Sequence, residues 1–179
     1  DDPAVITLTH QGYIKRLAVT TYKSQRRGGR GVAGMGTKEE DFVESLFITT
    51  LHQHMLFFST AGKVYSLKVH EIPEAGRQAK GTALVNLLEL TGDEKVAAVI
   101  PVRSFEGGGY LLFATKNGIA KRTELEEYRN IRRSGLIAYG LDDGDELIGV
   151  RLTSGEEDIL LVTRFGQSIR FKEADVRPM

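Results

Sequence analysis

Cysteine is absent from the 179 residues. Disulfide frameworks, thiolate zinc sites and cysteine nucleophiles are thereby excluded. The chain also lacks any apolar run near the roughly 18 residues that a transmembrane helix needs. Its first residues, DDPAVITLTH, lack the basic-then-apolar layout of a secretory leader. Net charge is missing too, with 24 Lys and Arg against 24 Asp and Glu. Taken alone, that balance argues against a nucleic-acid binder, whose footprint is usually basic. Material for a core is not lacking. Hydrophobic residues are 41% and charged residues 27%, which is ordinary for a folded protein and excludes wholesale disorder. The length fits one domain or an array of small units. A start without Met and an end at Arg177-Pro178-Met179 suggest a piece of a longer protein.

The apolar pattern is that of strands. Short runs rich in Val, Ile, Leu, Phe and Thr recur at Ala4 to Leu8, Val43 to Thr50, Met55 to Phe58, Val96 to Val102, Tyr110 to Ala114, Leu147 to Leu152 and Ile159 to Val162, bounded by turn residues. No segment carries a long 3.6-residue period with caps, and Leu84 to Leu90 is at most a helical turn. The chain reads as all-β. Four segments share one pattern of apolar strand, Thr or Ser, two residues, Gly, then a polar or basic strand: ITLTHQGYIKRL, LFFSTAGKVYSL, LLFATKNGIAKRT and LLVTRFGQSIRF. Their glycines, Gly12, Gly62, Gly118 and Gly166, lie 50, 56 and 48 residues apart and supply the positive φ of a tight hairpin. A second glycine follows at Gly31, Gly81 and Gly135, then an acidic turn, then another apolar strand. A repeat of about 50 residues with about four strands per unit signals a bladed array. The approximate repeats are 1–54, 55–109, 110–158 and a partial 159–179.

Charge follows the repeat. From Pro3 to Lys38 there is no acid, while Lys15, Arg16, Lys23, Arg26, Arg27, Arg30 and Lys38 give +7. The stretch from Gly62 to Gly81 is +2, as is Gly118 to Gly135, whereas Leu136 to Thr163 is −6. Positive charge thus falls between the first and second glycine of each unit. Equal phases of a stacked array share one rim, and a repeating basic stripe suits an extended polyanion. The acidic remainder is expected to keep such a polyanion off the other faces.

Within the basic phase, residues 25 to 31 read Gln25-Arg26-Arg27-Gly28-Gly29-Arg30-Gly31. Arginine offers bidentate, permanently charged contacts to phosphate. The interleaved glycines let backbone amides approach the same anion. QRRGGRG resembles, at all seven positions, the GyrA box, the signature of the C-terminal domain family of the DNA gyrase A subunit. The T-x-x-G repeats extend the resemblance along the chain. The resemblance implies a propeller-like β-pinwheel of four-stranded blades, here about three and a half of the five or six in a complete domain. It further implies that duplex DNA is bent around a basic perimeter without reading sequence, which lets gyrase introduce negative supercoils. The box residues Gln25, Arg26, Arg27, Gly28, Gly29, Arg30 and Gly31 are the primary DNA contacts so implied. Lys15, Arg16, Lys80, Lys121, Arg122, Arg132, Arg133 and Arg170 are further rim candidates from repeat phase. This segment would not itself be an enzyme, since cleavage, ATP and Mg belong to other parts of an ATP-dependent type IIA topoisomerase. The implied partners are double-stranded DNA, gyrase B and the rest of the gyrase A subunit. The segment itself is expected to be monomeric, off the membrane, and in the bacterial cytoplasm with the nucleoid.

Other readings are weaker. A propeller-like protein-interaction module would explain the repeats but not an acid-free stretch containing QRRGGRG. The equivalent domain of topoisomerase IV has similar blades with a degenerate or absent box. Gly29 to Gly34 fits G-x-G-x-x-G, yet no βαβ unit surrounds it. His52 and His54 would share one face of a strand, but no further metal ligands lie near. The six tyrosines lack the catalytic context of a type IIA topoisomerase and are assigned to packing or surface strands.

Overall fold

A computed structural model describes residues 1–21 and 41–178. The strands in chain order are β1 (Pro3–Thr9), β2 (Tyr13–Ala18), β3 (Val43–Thr50), β4 (His54–Ser59), β5 (Lys63–Lys68), β6 (Thr82–Ala83), β7 (Val96–Val102), β8 (Tyr110–Thr115), β9 (Ala120–Glu124), β10 (Leu136–Ile137), β11 (Leu147–Thr153), β12 (Asp158–Val162) and β13 (Ser168–Lys172). Helical structure among the described residues is confined to short 3-10 turns, and no helix there is long and apolar enough to cross a membrane. Every apolar run singled out in the sequence lies within a strand.

The strands form successive small antiparallel sheets, in the orders β3-β1-β2-β6, β10-β5-β4-β7, β11-β8-β9 and β12-β13. The sheets are offset from the sequence windows. β6 follows β5 in the chain but pairs with β2, Tyr13 opposite Ala83 and Ile14 opposite Thr82. Likewise β10 follows β9 but pairs with β5, Leu136 opposite Val64. Each of the first two blades is therefore completed by a short strand from the repeat that follows it.

The core lies between blades. Met55 and Phe57 of β4 face Ala4, Ile6, Leu8 and Ile14 of the first blade. Leu56 and Phe58 face Leu111, Phe113, Leu125 and Val150 of the third. All four β4 residues are fully buried. Alternate side chains of one strand thus feed two cores, so a buried strand reads as a continuous apolar run. Phe58 stands edge-on to Phe113 and Tyr128, with ring centroids 5.5 and 6.1 Å away. The β12-β13 hairpin is less covered and leaves Leu160, Val162, Phe165 and Ile169 exposed.

Candidate nucleic-acid interface

The basic strands are aimed by a turn that the chain builds four times. At Thr9, Ser59, Thr115 and Thr163 the carbonyl accepts the N–H of the glycine three residues on, at 3.0 Å. The side-chain hydroxyl accepts the amide four residues on, at 3.1 to 3.3 Å. Gly12, Gly62, Gly118 and Gly166 have φ between 79° and 86°, the region that glycine alone enters freely.

Acids from the following loop brace these turns. Asp41 Oδ1 accepts from the amides of Gln11 and Phe42 at 3.0 and 2.9 Å. Asp145 Oδ1 does the same for Asn117 and Glu146 at 3.0 and 2.8 Å. In the second unit the Glu94 carboxylate accepts the Tyr65 hydroxyl at 2.9 Å and the Thr91 amide at 3.0 Å. Burial works to raise the Asp41 carboxyl, but the Gln11 and Phe42 amides, the Thr9 hydroxyl and the Lys80 charge outweigh it and hold it below the ordinary range. Burial is likewise outweighed at Asp145, by Thr115 and the amides of Asn117 and Glu146. Asp41, Glu94 and Asp145, all from the acidic phase of the repeat, are internal braces.

The rim candidates separate by burial. Arg132 and Arg133 are exposed. Arg170 is exposed and paired with Asp158 at 2.6 Å, which with its charge holds the Asp158 carboxyl down. Lys80 and Lys121 are half-buried, their ammonium groups 3.6 Å over the Tyr13 ring and 4.6 Å over the Tyr139 ring. Three candidates sit differently from the expectation. Lys15 is fully buried. Its Nζ donates to the carbonyls of Gly76, Arg77 and Ala79 at 3.1, 2.8 and 3.0 Å, and burial pushes its pKa down. Arg16 is mostly covered, its Nε donating to Ile72 O at 3.1 Å and Nη1 lying 3.8 Å from Glu74. Arg122 is buried with Nη1 3.8 Å from Glu173, and its guanidinium stacks 4.5 Å from the Tyr110 ring. Repeat phase located these three on the basic strands but carried no information on which strand face is covered.

The structure adds residues that motif reading passed over. Gly81 and Gly135 directly precede β6 and β10, and the seven residues ending at each occupy the repeat position of Gln25 to Gly31. They read Ala75-Gly76-Arg77-Gln78-Ala79-Lys80-Gly81 and Arg129-Asn130-Ile131-Arg132-Arg133-Ser134-Gly135. Arg77 and Arg129 thus join the candidates, the latter exposed beside Glu126 at 3.2 Å. Alignment on the second glycine was the signal that could have found them. Gln25, Arg26, Arg27, Gly28, Gly29, Arg30 and Gly31 themselves lie outside the described residues.

Gly81 and Gly135 are required by close approach. A Cβ on Gly81 would meet Ile14 O at 2.5 Å, and one on Gly135 would meet the Tyr65 ring at 2.8 Å. The box-equivalent loops are therefore tied at their ends to the preceding blade, with basic side chains between the ties. The family model described as DNA gyrase C-terminal domain, beta-propeller, matches residues 4–50, 53–103, 109–154 and 157–179. The chain belongs to this family.

Similarity to full-length members of the gyrase A family is high. Identity to the DNA gyrase A protein of Clostridium acetobutylicum is 55% over 179 residues, covering 100% of this chain and 22% of that protein. Identity to its Halalkalibacterium halodurans counterpart is 57% over 175 residues, covering 98% and 21%. The chain spans about a fifth of the length of these relatives. Among solved structures, the C-terminal domain of DNA topoisomerase IV matches with TM-score 0.84 at 29% identity, covering 99% of this chain and 54% of that one. A DNA gyrase A C-terminal domain matches with TM-score 0.74 at 24% identity, covering 99% and 57%, a likeness of fold.

As a possible metal site the histidines diverge. His52 Nδ1 lies 2.8 Å from Asp1, whereas His54 begins β4 and packs edge-on against Phe105 at 5.2 Å. The two rings do not share one strand face. Among the described residues no group of three metal-ligating side chains is present.

Proposed function

We propose that this chain binds duplex DNA through its phosphates, bends it along the basic loops and contributes the wrapping step of gyrase. The observation that carries this is the recurrence of a basic segment before each second glycine: QRRGGRG once in full, and 75–81 and 129–135 as reduced versions. Smoothly bending 20 to 30 base pairs by 40 to 90° costs about 1 to 6 kcal/mol. A bend of that kind needs contacts at intervals along its path. Loops spaced one per blade supply them in increments, each phosphate contact releasing condensed counterions. Arginine fits the task through its bidentate fork, and backbone contact leaves base sequence unread.

In the whole enzyme, wrapped DNA would reach the strand-passage gate with one crossing sign, which turns relaxation into negative supercoiling. Cleavage and ATP hydrolysis, with its Mg, are assigned to the parts of gyrase outside this chain. Its partners are gyrase B and the rest of the gyrase A polypeptide, in the bacterial cytoplasm. The fold likeness to topoisomerase IV supports that enzyme as the second reading, but 55% identity to gyrase A against 29% and the intact box favour gyrase. The test is a gel shift with random-sequence duplex across salt concentrations. The reading expects log K to fall with log salt by about 0.9 per phosphate neutralised. Absence of binding, or a flat salt response, refutes it and favours a protein-interaction module.

A further inference from the structure

Lys15 presents an unusual arrangement for a residue in the basic phase of a DNA-binding repeat. It belongs to β2 of the first blade, yet its ammonium group ends beneath a turn of the second repeat, 61 to 64 residues away in sequence. There the Ala79 amide donates to Gly76 O at 3.1 Å, closing a four-residue turn with Arg77 and Gln78 at its corners. The three carbonyls of Gly76, Arg77 and Ala79 turn inward onto Nζ. A lysine ammonium has three protons and no acceptor, so its donor capacity matches the acceptors it meets. The entry of the loop is held separately, Arg16 N donating to Pro73 O at 3.1 Å and Ala75 N to Arg16 O at 3.2 Å. The exit is held at Gly81 by its approach to Ile14. Lys15 therefore governs the middle of the loop, where Arg77 and Lys80 reside, and leaves its ends to other contacts. At the equivalent position of the second repeat stands Tyr65, whose hydroxyl donates to the Glu94 carboxylate at 2.9 Å with Glu89 O 3.2 Å away, and Lys121 of the third lies over Tyr139. The clip belongs to the first blade among the described residues.

We propose that Lys15 is a positioning residue: buried in the first blade, it shapes the Gly76–Ala79 turn so that Arg77 and Lys80 meet DNA phosphate, without touching DNA itself. The proposal rests on the DNA-binding reading above. With the clip removed, Gly76 O keeps the Ala79 amide, but the Arg77 and Ala79 carbonyls lose the ammonium, and the turn must open toward water to satisfy them. Opening it displaces the two cations. The carbonyl dipoles would also swing to the side from which phosphate approaches, and they repel an anion. In the intact protein they point inward, and the buried ammonium adds to the positive field of the rim.

The experiment compares wild type, Lys15→Met, the double variant Arg77→Ala/Lys80→Ala, and the triple variant combining them. Duplex affinity is measured across salt, and amide exchange is followed in residues 75–81. The proposal expects Lys15→Met to speed exchange in that loop. It expects the log–log salt slope to fall by about 1.8, two phosphates' worth, in Lys15→Met and in the double variant alike, with no further fall in the triple. A merely structural lysine would not produce that non-additivity. Should the methionine variant not fold, Lys15→Gln, which keeps two donors, is read in the same way. An unchanged slope in Lys15→Met overturns the proposal. So does a further fall in the triple variant, which would mean that Lys15 itself contacts DNA. Wild-type protein without salt-dependent binding sinks the DNA reading instead, and unchanged exchange at 75–81 then sinks the role of Lys15 as well.

Discussion

Replacing Gly81 by alanine probes the tie between successive blades. Gly81 has φ +93°, and an added Cβ would lie 2.5 Å from Ile14 O, 3.0 Å from Ile14 C and 3.1 Å from Lys15 Cβ. Two of the three obstructing atoms are backbone of a central strand, so little can yield. Gly118 offers the matched control, with φ +85° and open space around the added carbon. An L-residue in left-handed backbone costs about 1 to 2 kcal/mol, and that is the whole penalty at Gly118. At Gly81 a steric cost of about 1 to 3 kcal/mol adds to it, for about 2 to 5 kcal/mol in all. With a urea m-value of about 2 kcal/mol/M, Gly118→Ala should lower the unfolding midpoint by about 0.5 to 1 M and Gly81→Ala by about 1 to 2.5 M. Urea titration followed by far-ultraviolet circular dichroism reads both. Equal midpoints for the two variants would refute the claim that this glycine exists to let β6 dock on the preceding blade.

Three further outcomes follow from the same structure. Phe58→Ala empties an aromatic cluster shared by two blades and should cost about 3 to 5 kcal/mol, read by thermal or urea unfolding; a loss under 1 kcal/mol contradicts the shared core. The carboxyls of Asp41, Asp145 and Glu94 are held below their ordinary values of 3.8, 3.8 and 4.5. Their stabilisation is therefore present above those values and lost as pH falls through the depressed ones. The urea midpoint should drop on acidification below about pH 4, Asp145→Asn should flatten that limb, and a midpoint indifferent to acid counts against the braces. Arg132→Ala/Arg133→Ala, on exposed side chains, should leave the urea midpoint nearly unchanged while lowering the DNA salt slope by up to about 1.8; an unchanged slope removes this loop from the path of the DNA.

The first strands of the first three hairpins, β1, β4 and β8, were legible because they are buried on both faces, which writes an uninterrupted apolar run into the sequence. The hairpins were legible because each needs a hydroxyl and a glycine at fixed spacing, and few other residue types satisfy both demands. The exchange of β6 and β10 between repeats left no comparable trace. Each is two residues long, too short for a period, and its docking is set by the glycine before it. Charge misled at three positions for a common reason. Lys15 and Arg16 on β2 are covered by residues 72–79, and Arg122 on β9 by Gly155 and Glu173, so the type of residue announces a rim while its surroundings make an internal staple. The same holds for Glu173. It is fully buried where the corresponding turns place Val69 and Leu125, and it accepts the Thr153 hydroxyl and the amides of Gly155 and Glu157. A carboxylate there fixes the fourth hairpin to the third blade, a function that hydropathy cannot announce.

The recurring basic segments are expected to bend DNA in one direction. Ligating a nicked circular plasmid in the presence of the protein and resolving the topoisomers tests this, because DNA wrapped with one hand is trapped by ligation as a shift in linking number. A one-signed shift is expected, one that grows with protein, shrinks with salt and disappears when Arg26, Arg27 and Arg30 are all alanine. A topoisomer distribution identical to that of plasmid ligated alone, at protein concentrations that saturate the duplex, would contradict it.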